Sequence, residues 1–314
     1  MFSPFLCESS FTFNNNKLGG KAQRFQQRNT SLMNKIASRK SVLQKRVACI
    51  HRMQFKGLGF PNKHFELQND FSVAILDSSK IFQEDAAVTA QTMQIGNRPC
   101  RIYGGANAEY LLLQMTGEHE LQSMDSEVAA IAQSAHHFLF AAIPVASWND
   151  ALSPWEAPAV WGKQGFGGNA TDTLCFLTEQ VIPTLKQQFE LPENTKIILG
   201  GYSLAGLFAL WASTQTDLFY GVAAASPSVW FPGWMEFEQQ HPMQMQHVYL
   251  SLGDKEEHTK NAVMAAVGDN IRTLHNRLAE RGADCTLEWN SGGHFKDADL
   301  RTAKAFRWVM EEHT

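Results

Sequence analysis

A serine lies in a motif that can turn its hydroxyl into a nucleophile. The segment Gly201–Gly206 reads GYSLAG, follows the apolar run Ile197–Leu199 and precedes the apolar segment Leu207–Trp211. Such a sharp strand-to-helix turn, a nucleophile elbow, exposes the hydroxyl of Ser203 and needs small residues two places before and after it, because the two backbones nearly touch. Both places are filled by small residues, although the second is alanine where the usual G-x-S-x-G motif has glycine.

A serine hydroxyl is a weak nucleophile, and a histidine held by a carboxylate is the general way to activate it. His294 follows the apolar strand pattern 285–289, and a loop rich in carboxylates follows the earlier pattern 247–252. The carboxylates of that loop are Asp254, Glu256 and Glu257. Serine, acid and histidine thus occur in the chain order expected after an elbow. We take His294 as the base; the histidine beside the acids, His258, is its rival.

The elements that must position these side chains alternate along the chain. A hairpin-like pair at residues 86–95 and 100–103 comes first and is expected at the edge of the sheet. Further strands are predicted at 110–115, 138–145, 197–199, 221–225, 247–252 and 285–289, and helices at 124–135, 171–189, 261–281 and 299–312, besides the helix after the elbow. This alternation predicts an α/β fold with a mostly parallel sheet and helices on both faces. Ligands of such sheets bind beyond the carboxyl ends of the strands, where the serine, the acids and the histidine all fall.

The charge divides the chain into two parts. Residues 1–63 hold twelve Lys and Arg and the single acid Glu8, so that a net charge of +11 precedes one of −15 in the rest. We interpret residues 1–80 as a basic, flexible N-terminal extension and residues 81–314 as the catalytic domain. A basic amphipathic pattern over residues 31–50 is compatible with an organelle transit peptide, a membrane-surface anchor, a nucleic-acid-binding arm or a merely solvated extension. The acidic domain would repel phosphates, so we predict no nucleic-acid partner.

Cysteine usage and hydropathy bear on location. The five cysteines are odd in number and contain no C-x-x-C spacing, which favours a reducing, cytoplasmic compartment and argues against a structural metal. The longest apolar stretch, residues 138–146, is too short for a membrane span. Neither metal nor nucleotide is needed by a serine, a base and an acid, so we predict no metal and no cofactor. The oligomeric state stays open.

Four segments resemble the α/β-hydrolase fold and, within it, the putative esterase family, which includes siderophore trilactone esterases, feruloyl-type esterases and S-formylglutathione hydrolase. These are GGYSLAGLF at 200–208, ASPSVW at 225–230, LSLGDKE at 250–256 and GHF at 293–295. The resemblance covers residues 85–314 and is strongest to small bacterial members. It implies a serine esterase that cleaves a small-molecule carboxylic ester through an acyl-enzyme.

The resemblance also implies which acid orients the histidine. Family members place the acid three residues after the glycine that ends the strand, here Gly253, which selects Glu256 over Asp254 and gives a Ser203–Glu256–His294 triad. From the residues alone, any carboxylate of that loop could accept the imidazole NH.

A developing oxyanion needs two NH donors. One is the backbone NH of Leu204, the residue after the nucleophile, and the other comes from the loop after the strand at 110–115. Resemblance to the family's His-Gly-x pattern puts this second donor at the backbone of Glu118, although Thr116 stands in the place of the histidine.

Three tryptophans follow strands whose ends face the same mouth: Trp148, Trp155 and Trp230. They either line a pocket for the acyl or aromatic part of the substrate or cap the sheet as part of the core. Other functions also stay open. The same triad could transfer an acyl group to an alcohol or hydrolyse a thioester, and a catalytically silent hydrolase-fold protein could serve in binding; the filled triad positions argue against the last.

Overall fold

The computed structural model describes residues 90–117, 121, 124–243, 245 and 247–311. The predicted N-terminal extension, residues 1–80, and the start of the predicted hairpin, residues 86–89, lie outside the described residues. The separation of extension and domain therefore stays a prediction.

Ten strands form within the described ranges. They are β1 Ala90–Ile95, β2 Arg98–Gly104, β3 Tyr110–Gly117, β4 Phe138–Val145, β5 Glu156–Ala157, β6 Phe166–Gly167, β7 Lys196–Tyr202, β8 Gly221–Ala225, β9 His247–Gly253 and β10 Asp284–Asn290. Eight of them make one sheet in the order β1-β2-β4-β3-β7-β8-β9-β10, and β5 pairs with β6 in a separate ribbon. The hairpin β1–β2 is antiparallel and adds to β4 in antiparallel fashion, whereas all pairs from β4 to β10 are parallel. The prediction of a mostly parallel sheet with this hairpin at its edge is confirmed.

The helices in the same ranges are α1 Met124–Ala132, α2 Trp148–Leu152, α3 Ala170–Phe176, α4 Ile182–Gln188, α5 Leu204–Gln215, α6 Trp234–Gln240, α7 Ala262–Ala265, α8 Val267–Glu280 and α9 Ala298–Met310. Two helices that were predicted as continuous are divided. A π-helical turn, Leu177–Val181, separates α3 from α4, where Pro183 lacks the NH of a regular helical hydrogen bond. Helices α7 and α8 meet at Ala266, whose ψ of −9° departs from helical values. No helix in the described ranges has both the length and the apolar character needed to cross a membrane.

Successive residues of a strand point to opposite sides of the sheet, and here both sides are apolar, so helices cover both faces. On β7, Ile198 belongs to the apolar cluster that includes α1 and α9, whereas Leu199 belongs to the cluster that includes α3, α4, α5 and α8. Helix α5, which follows the elbow, is apolar on all sides, and every residue of it except Gln215 is buried. A fully buried helix gives the elbow a rigid base.

Strand register brings the loops that carry the candidate residues to one edge of the sheet. Ala225 at the end of β8 pairs with Tyr202 on β7 and with Ser251 on β9. Asn290, the last residue of β10, pairs with Gly253, the last of β9. The loops after β7, β8, β9 and β10 therefore all leave the sheet at the same edge.

Candidate active site

The serine at the elbow has the backbone conformation that such a turn requires. Ser203 has φ of 58° and ψ of −120°, a region that a residue with a side chain rarely occupies and that costs about 1–3 kcal/mol. A Cβ on Gly201 would lie 2.6 Å from the Cβ of Ala205, so the small residues on either side are a steric need. Two backbone hydrogen bonds to β8 and its following loop hold the strained residue, from the NH of Ser203 to Ala225 and from the NH of Ser228 to Ser203.

An imidazole and a carboxylate extend from this serine in a chain of hydrogen bonds. Nε2 of His294 lies 3.0 Å from Oγ of Ser203, and Nδ1 of His294 lies 2.7 Å from Oε2 of Glu256. Because an ionised carboxylate only accepts, Nδ1 carries the proton and Nε2 is left to accept the hydroxyl proton of Ser203. The imidazole is 28% exposed and the carboxylate 5%, so the base faces the solvent side while its partner is buried.

The carboxylate of Glu256 is held by donors on several sides. Its Oε1 accepts from the backbone NH of Gly253 at 2.7 Å, from Oγ of Ser226 at 2.8 Å and from the guanidinium of Arg301 at 3.1 Å. Burial acts to raise the pKa of Glu256, but the hydrogen bonds and charge of His294, with the donors Ser226 and Gly253, outweigh it and hold that pKa below its ordinary value. The group is therefore ionised when it contacts the imidazole.

The neighbouring acids of the same loop point elsewhere. Oδ1 of Asp254 accepts from the NH of Gly292 at 2.7 Å, which ties the acid loop to the turn before His294. Glu257 makes two hydrogen bonds with the guanidinium of Arg272, at 2.9 and 3.0 Å. Of the three candidate carboxylates, the structure brings Glu256 to the imidazole.

Three other histidines lie outside this hydrogen-bond chain. His258 ends the short 3₁₀ turn Glu256–His258 and is exposed. His136 and His137 are exposed immediately before β4, at the opposite edge of the sheet.

Of the two predicted oxyanion donors, Leu204 lies among the described residues and Glu118 does not. Leu204 is the first residue of α5, and an NH in the first turn of a helix has no acceptor within that helix. The strand before Glu118, β3, ends at Gly117 and pairs in parallel with β7 up to Gln114 opposite Gly200, so the loop after β3 starts beside the elbow.

The three tryptophans predicted to rim the mouth are half-buried and pack against one apolar cluster. Trp155 donates its indole NH to the carbonyl of Pro232 at 2.9 Å, and its ring lies 5.1 Å from that of Phe237. The rings of Trp230 and Phe166 are 6.2 Å apart. For Trp155 these contacts fit the core interpretation rather than the pocket one.

Sequence reasoning missed several residues that surround the site. Tyr202, Ser226 and Ser228 stand inside the motifs but received no role, and Arg301 received no attention. Oγ of Ser228 lies 3.3 Å from Oγ of Ser203, and Phe295, next to the histidine, is 96% exposed. Their proximity to the motifs was a usable signal for all except Arg301, whose contact with Glu256 spans 45 positions of the chain.

The lowered pKa of Glu256 predicts a pH-dependent contribution to stability. A carboxylate whose folded pKa lies below its unfolded value of about 4.3 stabilises the fold above that pH, and this stabilisation is lost as the pH falls through the folded pKa. We expect Glu256→Gln to lower the Tm strongly near neutral pH and less at about pH 3. Thermal unfolding of both proteins between these limits measures this, with Glu236→Gln, an exposed glutamate of α6, as the control. A Tm difference that is constant with pH would contradict the prediction.

Solved structures of known hydrolases share the fold of this chain. The structure is similar to that of an IroE-like serine hydrolase from Shewanella oneidensis, with a TM-score of 0.59 and 15% identity over 70% of this chain and 79% of the other. It is similar to the siderophore hydrolase EstB from Aspergillus nidulans, with a TM-score of 0.56 and 18% identity over 72% and 95% of the two chains. For the enterobactin esterase FES from Shigella flexneri, the TM-score is 0.53 at 17% identity over 71% of this chain and 58% of that one. At these identities the likeness establishes the fold.

The sequence comparisons address the family. Among the curated proteins, none matches this chain. The family model described as "Putative esterase" matches residues 125–297, more than half of the chain and a range that includes the elbow, the acid loop and His294. The chain therefore belongs to the putative esterase family and is a carboxylic ester hydrolase with the α/β-hydrolase fold.

Proposed function

We propose that the protein hydrolyses its ester through an acyl-enzyme on Ser203, with His294 as the general base and Glu256 as the acid that orients it. The observation that supports this proposal is the continuous hydrogen-bond chain from Ser203 through His294 to Glu256, with distances of 3.0 and 2.7 Å. Three groups from three different loops are aligned at one edge of the sheet, which is the arrangement that serine activation requires.

In the first half of the reaction, Nε2 of His294 removes the proton from Oγ of Ser203 as the oxygen attacks the ester carbonyl. The imidazolium that forms is stabilised by the carboxylate of Glu256 through the Nδ1 proton. The negative charge on the carbonyl oxygen is taken up by the backbone NH of Leu204 and, in this proposal, by that of Glu118. The alcohol leaves with the proton that His294 returns to it.

In the second half, water replaces the alcohol. His294 removes a proton from this water, which attacks the acyl group on Ser203, and the carboxylic acid leaves as the serine takes its proton back. The strained backbone of Ser203, with φ of 58°, keeps its side chain accessible to the ester in the first half of the reaction and to water in the second.

A panel of esters with different acyl lengths and alcohols tests this proposal together with a fluorophosphonate probe. We expect turnover of short activated esters and stoichiometric labelling of Ser203, located by peptide mass spectrometry. Thioesters and added alcohol acceptors belong in the panel, because the same triad could serve thioester hydrolysis or acyl transfer. A siderophore ester also belongs there, since two of the fold neighbours are named for such substrates. Ester turnover without labelling of Ser203 would contradict the proposed mechanism.

A further inference from the structure

A buried arginine contacts the side of Glu256 that faces away from the histidine. Arg301 lies in the first turn of α9 and its side chain is 3% exposed. Burying a guanidinium is costly unless its NH groups find partners. Its donors reach four oxygens: Oε1 of Glu256 at 3.1 Å, the hydroxyl of Tyr202 at 3.2 Å, Oγ of Ser226 at 3.4 Å and the carbonyl of Ser291 at 3.3 Å.

Each of these partners is itself connected to the proposed triad. Ser226 donates to the same Oε1 of Glu256 at 2.8 Å, and Tyr202 donates its hydroxyl to the carbonyl of His294 at 2.6 Å. Ser291 lies three positions before His294, in the loop that carries the histidine. One guanidinium thus joins the residue before the nucleophile, the acid and the histidine loop.

The packing at the end of β9 makes room for this guanidinium. A Cβ on Gly253 would lie 3.0 Å from a guanidinium nitrogen of Arg301 and 2.8 Å from Oε1 of Glu256. The glycine therefore lets the acid and the arginine meet against the strand end, and its NH also donates to Oε1.

We propose that Arg301 is a positioning residue of the esterase, which acts on His294 through Glu256. One guanidinium nitrogen, Nη1, donates to Oε1 of Glu256 while the other, Nη2, donates to the carbonyl of Ser291, so that Oε1 is held and Oε2 faces the imidazole. Its positive charge also opposes part of the attraction between the carboxylate and an imidazolium. This inference rests on the proposed function, because Arg301 would act only through the proposed triad.

The other ionisable groups around this pair are more exposed, uncharged or paired elsewhere. In the described part of the chain they are Tyr202 on β7, Tyr249 on β9, Asp254, Lys255, Glu257 and His258 on the acid loop, and Lys296 and Asp297 after the histidine. Burial raises the pKa of Tyr202 and of Tyr249, so both hydroxyls are neutral. Glu257 is paired with Arg272, and the remaining five are exposed, where water and salt screen their charges. The guanidinium of Arg301 is the buried charge that acts on Glu256 from behind.

The pH dependence of kcat/KM separates this role from a merely structural one, because its acid limb reports the base of the free enzyme. In Arg301→Gln the carboxylate attracts the imidazolium without opposition, so we expect the acid limb to move to higher pH by about half to one unit. The plateau should fall by about ten- to a hundredfold as the acid loses its support. In Arg301→Lys the charge remains but the fork is lost, so the limb should stay in place while the plateau falls.

A matched control is Arg277→Gln, which removes one of the two guanidinium groups that pair with the buried carboxylate of Glu238 on α6. It should lower the Tm and leave the acid limb unchanged. A folded Arg301→Gln protein with the wild-type limb would overturn the inference, and so would an Arg301→Lys protein with wild-type turnover or a shifted limb. If Arg301→Gln does not fold, the lysine variant still decides. Labelling of Ser203 by fluorophosphonate in the wild type is recorded alongside, since its absence would defeat the proposed function rather than the role of Arg301.

Discussion

Ser203→Ala and His294→Ala should each lower ester turnover by about four to six powers of ten, and the two residual rates should be similar. The members of a triad act as a unit, because a serine without its base, or a base without its serine, leaves only binding and the oxyanion donors to promote the reaction. Steady-state turnover of a short activated ester measures the effect. Fluorophosphonate labelling should disappear in the serine variant and become very slow in the histidine variant.

Two substitutions serve as controls for these losses. Ser213→Ala removes a buried serine hydroxyl from α5, the helix that follows the elbow, where it donates to the carbonyl of Leu210. His258→Ala removes an exposed imidazole near the acid loop. Both variants should keep nearly full turnover. Full activity in Ser203→Ala would end the proposal of an acyl-enzyme on this serine, and loss in His258→Ala comparable to that in His294→Ala would put the choice of base in question.

Among the three acids of the loop, Glu256→Gln should reduce turnover by about three to four powers of ten, far more than Asp254→Asn or Glu257→Gln. Only the acid in contact with Nδ1 of His294 fixes the tautomer of the imidazole and stabilises the imidazolium in the transition state. An amide in place of Glu256 keeps the volume but loses that charge. Turnover of all three variants on one ester gives the ranking.

The two other variants, Asp254→Asn and Glu257→Gln, should change contacts that do not involve His294. Asn in place of Asp254 can still accept from the NH of Gly292, so the link between the two loops survives. Gln in place of Glu257 weakens its pair with Arg272, whose side chain is 44% exposed, and exposed pairs contribute little. If Asp254→Asn proves the crippling change, the acid lies two positions earlier and the spacing inferred from the family resemblance is wrong.

Local patterns were enough to predict the order of the strands of the main sheet and of the longer helices, because each of these leaves its own period in the sequence. The run before Ser203, the apolar helix after it and the strands β8 to β10 could all be recognised in this way. The short helices α2 and α6 and the ribbon of β5 and β6 were not predicted. The two divided helices were predicted as continuous, although Pro183 is a local signal for the irregular turn at Leu177–Val181. The predicted extension at residues 1–80 lies outside the described residues, so its separability stays a prediction.

The local patterns of the chain therefore specify the α/β order, the elbow at Ser203 and the short set of groups that could serve it. The motifs are local, and the steric demand of the elbow is met by neighbours such as Gly201 and Ala205. Which carboxylate contacts His294 depends on the folded structure, because three acids within four residues are equivalent in sequence and differ only in which partner each one meets. The folded structure also brings Arg301 to Glu256, a contact of 3.1 Å between residues 45 positions apart. The packing of α9 against the sheet makes this contact, and no residue close to Glu256 in the sequence could have indicated it.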